Sequence, residues 1–184
     1  MPAVSGRRES AIPDMDLNAL LKEKQPAIVE KWFETVLAAY PENTANIYRK
    51  SEAQFTNPLG YNARQGVEGL FDALLKGVML EEASGFLDNI VRIRAIQEFP
   101  PSQALSFIYE LKKIVRAEIG KAVAEQGLTE DLDSFLSTID DLALFAFDLY
   151  MGCREKLFEI KVNEMKNSTF RLIQQANRVG GKQE

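Results

Sequence analysis

A chain of 184 residues, 46% apolar and 27% charged, has the size of one domain (roughly 100–200 residues) and too much apolar content to stay disordered. Its 22 bases against 27 acids leave a net charge of −5, which disfavours nucleic acid as a partner, because phosphate binding needs a concentrated positive field. It contains no histidine, which removes the Ser-His-Asp triad, imidazole ligation of zinc or haem iron, and the histidine phosphorelay.

Residues 1–13 read as a disordered leader ending at Pro13. Its Arg7-Arg8 pair lacks the apolar run that a secretion signal requires. Leu17, Leu20 and Leu21 start a helix, which Gln25-Pro26 is expected to break and restart. Val29, Trp32, Phe33, Val36 and Leu37 then carry a second helix to about Tyr40, and a short third helix follows around residues 44–50. Residues 51–64, with Asn57-Pro58 and Gly60, are expected to form an irregular surface connection. Helical spacing returns over 65–80 through Val67, Leu70, Phe71, Leu74 and Val78, where Gly66, Gly69 and Gly77 weaken the helix but permit close packing. A further helix over 83–99 carries Phe86, Leu87, Ile90, Ile93 and Ile96 and stops at Pro100-Pro101. The next runs from Ser102 to about Gln126 and ends at Gly127; Thr129 caps the last. From there no proline or strand-like alternation occurs before Gly180-Gly181, which implies one helix of about fifty residues with Gly152 as a candidate kink. The fold class is therefore all-α, a helical bundle over 14–152 followed by an exit helix and tail over 153–184.

The last helix changes character at its middle. Leu132, Phe135, Ile139, Leu142, Ala146 and Leu149 form a core stripe, and the apolar run 142–151 is too short to span a membrane and is interrupted by Asp148. Beyond Arg154, Phe158, Val162, Met165, Thr169, Leu172, Ala176 and Val179 alternate by four and three residues, an a/d seam. That seam either dimerises or folds back on its own domain. The lone Cys153 cannot form an intramolecular disulfide, in keeping with a reducing, cytoplasmic setting.

Chemical motifs are sparse. No Gly-rich phosphate loop is present, and carboxylates without Glu-x-x-His pairs do not make a di-iron site. Asp140-Asp141 and the bases Lys112, Lys113, Arg116 and Lys121 read as solvated helix faces, and Cys153 as a structural thiol. Two features carry more weight. A buried carboxylate needs a cation, so Asp148 is expected to pair with Arg92, Arg94, Arg116 or Arg154, as a structural ion pair or a switch. Arg92 and Arg94, set among Ile90, Val91, Ile93 and Ile96, are either clamps or snorkelling side chains.

RIRAIQEFPPSQALSFIYELKKIVR (Arg92 to Arg116) and FAFDLYMGCREKLFEIKVNEMK (Phe145 to Lys166), with WFETVLAAYP from Trp32 and NPLG from Asn57, resemble the N-terminal domain of RsbR/RsbRD-type co-antagonists of the RsbT kinase. The resemblance implies a stressosome-type sensory input module: all-helical, globin-like without haem, free of cofactors, non-catalytic and dimeric. Its last helix would pass signals to a STAS output domain, and a STAS-domain or kinase partner is expected. In that family the phosphorylated threonines lie beyond the input domain, whereas this sequence stops at Glu184. The expectation is thus an input module without a STAS domain of its own, whose exit helix pairs with a second copy or with another protein. Deleting 154–184 should then abolish dimerisation. The rival reading is a carrier or sensor holding a small apolar ligand between Phe71, Ile90, Ile108 and Phe145.

Overall fold

The computed structural model describes residues 16–50, 57–79 and 81–180, apart from the side chains of Lys50 and of residues 176–180. The expected leader lies outside them. Six helices and no strands occur among the described residues. The first, α1 (Leu17–Leu37), is capped by Asp16, whose carboxylate accepts from the Ala19 N–H at 2.7 Å. The break expected at Gln25-Pro26 does not occur: Pro26 lies inside α1. Proline forfeits one main-chain hydrogen bond, yet Leu20 and Leu21 before it and Ile28, Val29, Trp32 and Phe33 after it are all buried. Continuous burial outweighs the lost bond.

After α2 (Glu42–Lys50), α3 (Pro58–Lys76) begins earlier than the sequence suggests. Residues 58–64 are helical, because Asn57 serves as N-cap and Pro58 suits the first turn. The Asn57 side chain accepts from the Gly60 N–H at 2.9 Å and donates to the Ile47 and Tyr48 carbonyls at 3.1 and 2.9 Å, so it also caps the end of α2. Asn57→Ala should cost about 2 kcal/mol, one lost cap plus two orphaned carbonyls. That corresponds to a thermal midpoint lower by roughly 5 °C, read from the fluorescence of Trp32, the single tryptophan. An unchanged midpoint would remove Asn57 from this joint.

The remaining helices are α4 (Ser84–Ile96), α5 (Pro101–Gln126), closed by the left-handed Gly127, and α6 (Thr129–Gly180), 52 residues continuous through Gly152. At 1.5 Å per residue α6 is about 78 Å long. Packing follows a closed ring in which α1 lies against α3, α3 against α4, α4 against α6, α6 against α5 and α5 against α1, with α2 laid on α3. Gly66 and Gly69 let α4 approach α3; a Cβ on Gly69 would lie 2.5 Å from the Phe86 ring. Trp32, Phe33, Phe71, Phe107 and Ile108 fill the centre. The Trp32 indole stacks near Phe107 and donates to its carbonyl at 2.8 Å, satisfying its one polar atom.

Candidate functional site

Arg94 is the largest charged group in the interior and is fully buried. It reaches that position because α4 presents Leu87, Ile90, Val91, Arg94 and Ala95 on one inward face. Its guanidinium donates to the Ala104 carbonyl at 2.7 Å and to the Val36 carbonyl at 2.9 Å. Val36 belongs to the last turn of α1, whose carbonyls lack helical partners, so the cation meets both an orphaned acceptor and the negative end of the helix dipole. The Phe107 ring lies 4.8 Å away and the Phe99 ring 5.9 Å away. No acid pairs with it among the described residues, and Nε has no acceptor. Burial pulls its pKa below the ordinary value, and burial pushes the neighbouring Tyr40 hydroxyl up.

The buried ion pair expected around Asp148 does not form. Asp148 is exposed and has no ion-pair partner among the described residues. The run 142–151 is two-faced: Leu142, Ala143, Ala146 and Tyr150 are buried, while Leu144, Phe147 and Met151 are exposed with Asp148. An apolar run on a helix does not bury each of its positions. The arginines proposed as partners are scattered. Arg92 pairs with Asp88 at 2.7 Å and Arg116 with Asp133 at 3.2 Å, both on the surface, while Arg94 is occupied as described. Arg154 donates to the Ala95 carbonyl at 3.1 Å.

That last contact belongs to a clasp between the α4–α5 corner and α6. Gln97 and Glu98 close α4, with the Phe99 N–H returning to the Arg94 carbonyl and the Glu98 N–H to the Ala95 carbonyl, a Schellman end. The left-handed position of that motif normally belongs to glycine, yet here it is Glu98, at φ 60°. Its carboxylate meets Lys161 and Arg154, and the Tyr150 hydroxyl donates to the Phe99 carbonyl. Residues 150, 154 and 161 of α6 are thus tied to one corner of the domain. Hydrogen bonding from Lys161, helped by Arg154, holds the Glu98 carboxyl below the usual range. A carboxylate depressed in this way stabilises above its ordinary pKa and loses that contribution as pH falls through the lower folded value, so acid loosens the clasp. Glu98→Gly should raise the thermal midpoint by relieving the backbone, yet speed hydrogen exchange in residues 150–161. A lower midpoint would show that the ion pairs outweigh the strain.

The distal half of α6 does not fold back. Phe158 (68% exposed), Met165 and Leu172 (64%) are bare, Thr169 is exposed and Val162 half-buried; the side chains of Ala176 and Val179 lie outside those described. The same face continues into the domain, where Leu144 (66% exposed), Phe147 and Met151 are uncovered. Leu144, Met151, Phe158, Met165 and Leu172 recur every seven residues, so the seam is about twice as long as its distal half suggests. The expected ligand pocket is dispersed instead. Phe71, Ile90 and Ile108 are buried and Phe145 half-buried, but they sit on α3, α4, α5 and α6, and α3 and α6 are not neighbours in the ring. The cavity reaching Ile90 has a volume of about 10 Å³, at the lower limit for one water. The site is a packed core.

Fold and junction together define an all-helical module that clasps a long exit helix at one corner and leaves an apolar face along it uncovered. The chain belongs to the family described as the RsbT co-antagonist protein rsbRD N-terminal domain, whose model matches residues 26–165, from within α1 to the protruding part of α6. This is a family of signalling-related N-terminal domains. The chain is also similar to an uncharacterized protein of Archaeoglobus fulgidus, 27% identical over 138 residues, which cover 74% of this chain and 82% of the other. No solved structure matches it. No helix among the described residues is long and apolar enough to cross a membrane.

Proposed function

We propose that the protein is a non-catalytic, cytoplasmic input module of the stressosome type that works as a parallel homodimer through α6 and passes a cue along that helix to a STAS-domain or kinase partner. The single observation that carries this reading is the uncovered heptad stripe Leu144, Met151, Phe158, Met165 and Leu172. Fully burying such a side chain contributes about 1.5–3 kcal/mol, and a two-fold pairing counts each twice, enough to offset the ~4–15 kcal/mol lost on association. A parallel arrangement sends both exit helices out of the pair in one direction, as a shared output requires. The clasp at Glu98, Tyr150, Arg154 and Lys161 supplies the coupling, because a shift of the α4–α5 corner moves groups bonded to α6. Native mass spectrometry of the intact chain should show a dimer, and a monomer at micromolar concentration would refute the reading.

A further inference from the structure

Between α4 and α6, where the exit helix leaves the domain, lies a groove of about 480 Å³ with Ile96, Leu149, Cys153, Leu157 and Ile160 as its apolar lining. Its size lies within the ~300–1,000 Å³ typical of small-molecule sites. Helix periodicity puts its apolar side opposite the heptad stripe: Leu149, Cys153 and Ile160 lie about half a turn from Leu144, Met151 and Phe158, while Asp148 and Gly152 form the edge nearer the stripe. Dimerisation through the stripe therefore leaves the apolar side of the groove open. Two of its aliphatic side chains, Ile96 and Ile160, are about half exposed, an apolar surface that nothing in the described chain covers.

Charge at the groove decides what fits. Asp88, Arg92 and Lys156 line the groove together with Cys153; burial and Asp88 push its thiol up, while Arg92 and Lys156 pull it down. Asp88 is taken by Arg92 at 2.7 Å, whereas Lys156 has no ion-pair partner among the described residues. Asp148 sits at the far end of the lining, two turns of α6 away from Lys156. The edge at Gly152 is open: the residue is exposed and a Cβ there would meet nothing within 4 Å.

We propose that this groove binds a single-chain anionic amphiphile, an alkyl carboxylate, with its head at Lys156 beside Arg92 and Cys153 and its chain directed away from Asp148, along Ile96, Leu157 and Ile160. The bound chain lies against Ile96 and α6, next to the corner that Glu98 clasps, so occupancy bears on the exit helix directly. The binding itself is independent of the dimer; only its transmission rests on the proposed function.

Cys153 is the single cysteine, so its alkylation rate reports on occupancy without an introduced probe. Sodium dodecanoate, kept below its micellar concentration, should slow alkylation of Cys153 by iodoacetamide in the intact chain at least fivefold, and calorimetry should give a saturable one-site isotherm. Lys156→Glu should weaken the affinity about fivefold, the factor expected for one exposed ion pair. Gly152→Phe sets a ring at the edge of the groove and should abolish both signals with the Trp32 unfolding midpoint unchanged, while Gly152→Ala, which adds only a methyl into open space, should keep them. Unchanged alkylation together with no isotherm, equal protection by dodecyltrimethylammonium, or binding that survives Gly152→Phe would each overturn the proposal. Sedimentation of the same samples separates the two claims: a protected monomer sustains this site against the dimer, and an unprotected dimer does the reverse.

Discussion

Arg94→Ala is expected to destabilise the fold by about 3–5 kcal/mol, the range for truncating a large buried side chain and stranding its hydrogen-bond partners. Three losses coincide. The Val36 carbonyl at the end of α1 and the Ala104 carbonyl of α5 each lose a donor, and the space between the Phe99 and Phe107 rings empties. At roughly 2–4 °C per kcal/mol for a chain of this size, the midpoint falls by about 10 °C. Arg94→Met separates the causes. It refills most of the volume and removes the desolvation penalty of an unpaired cation, so it should recover part of the loss while the Val36 carbonyl still lacks its donor. Thermal unfolding followed at Trp32 reads both variants. An Arg94→Ala midpoint within 2 °C of the parent, about half a kcal/mol, would show that the cation contributes no net stability.

The second large effect falls on association. Phe158→Glu puts a carboxylate in the middle of the uncovered stripe and, in a two-fold dimer, sets it against its own copy. Losing about 2–3 kcal/mol of apolar burial on each side should weaken the proposed dimer more than a hundredfold, with the fold of each subunit unchanged because Phe158 touches solvent in the single chain. Met151→Glu should act in the same direction, although Met151 belongs to the domain half of α6. That outcome separates the extended stripe from a seam confined to residues beyond 153, and it makes truncation at 154 a partial rather than a complete test.

Much of this architecture is readable in the sequence where punctuation is strong. Pro100-Pro101, Gly127 and the uninterrupted run to Gly180 delimit α5 and α6, since proline and glycine act locally on the backbone. Pro26 is misleading for the opposite reason: tertiary burial of α1 overrides a local preference. Asn57-Pro58 reads as a turn, yet the same pair is an N-cap followed by a first-turn proline. The site is less legible. Arg94 stands out among isoleucines, but its acceptors are main-chain carbonyls 10 and 58 residues away, which no residue type announces. Glu98 looks like an ordinary loop acid until its backbone and its two cations are seen together. The domain half of the stripe was discoverable from the seven-residue recurrence of Leu144, Met151 and Phe158. It is masked by the core stripe on the same helix, because two apolar faces blur the period of each.

Central to the proposed function is a parallel pairing of α6. Its most direct measurement uses a Cys153→Ser background in which Phe158→Cys supplies the only thiol, with mild oxidation followed by denaturing electrophoresis without reductant. Across a parallel two-fold seam residue 158 meets its own copy, so near-complete disulfide-linked dimer is expected, with cross-linking lost when Met165→Glu is added. A monomer under conditions that oxidise a free thiol fully would contradict the pairing of α6 and the function built on it.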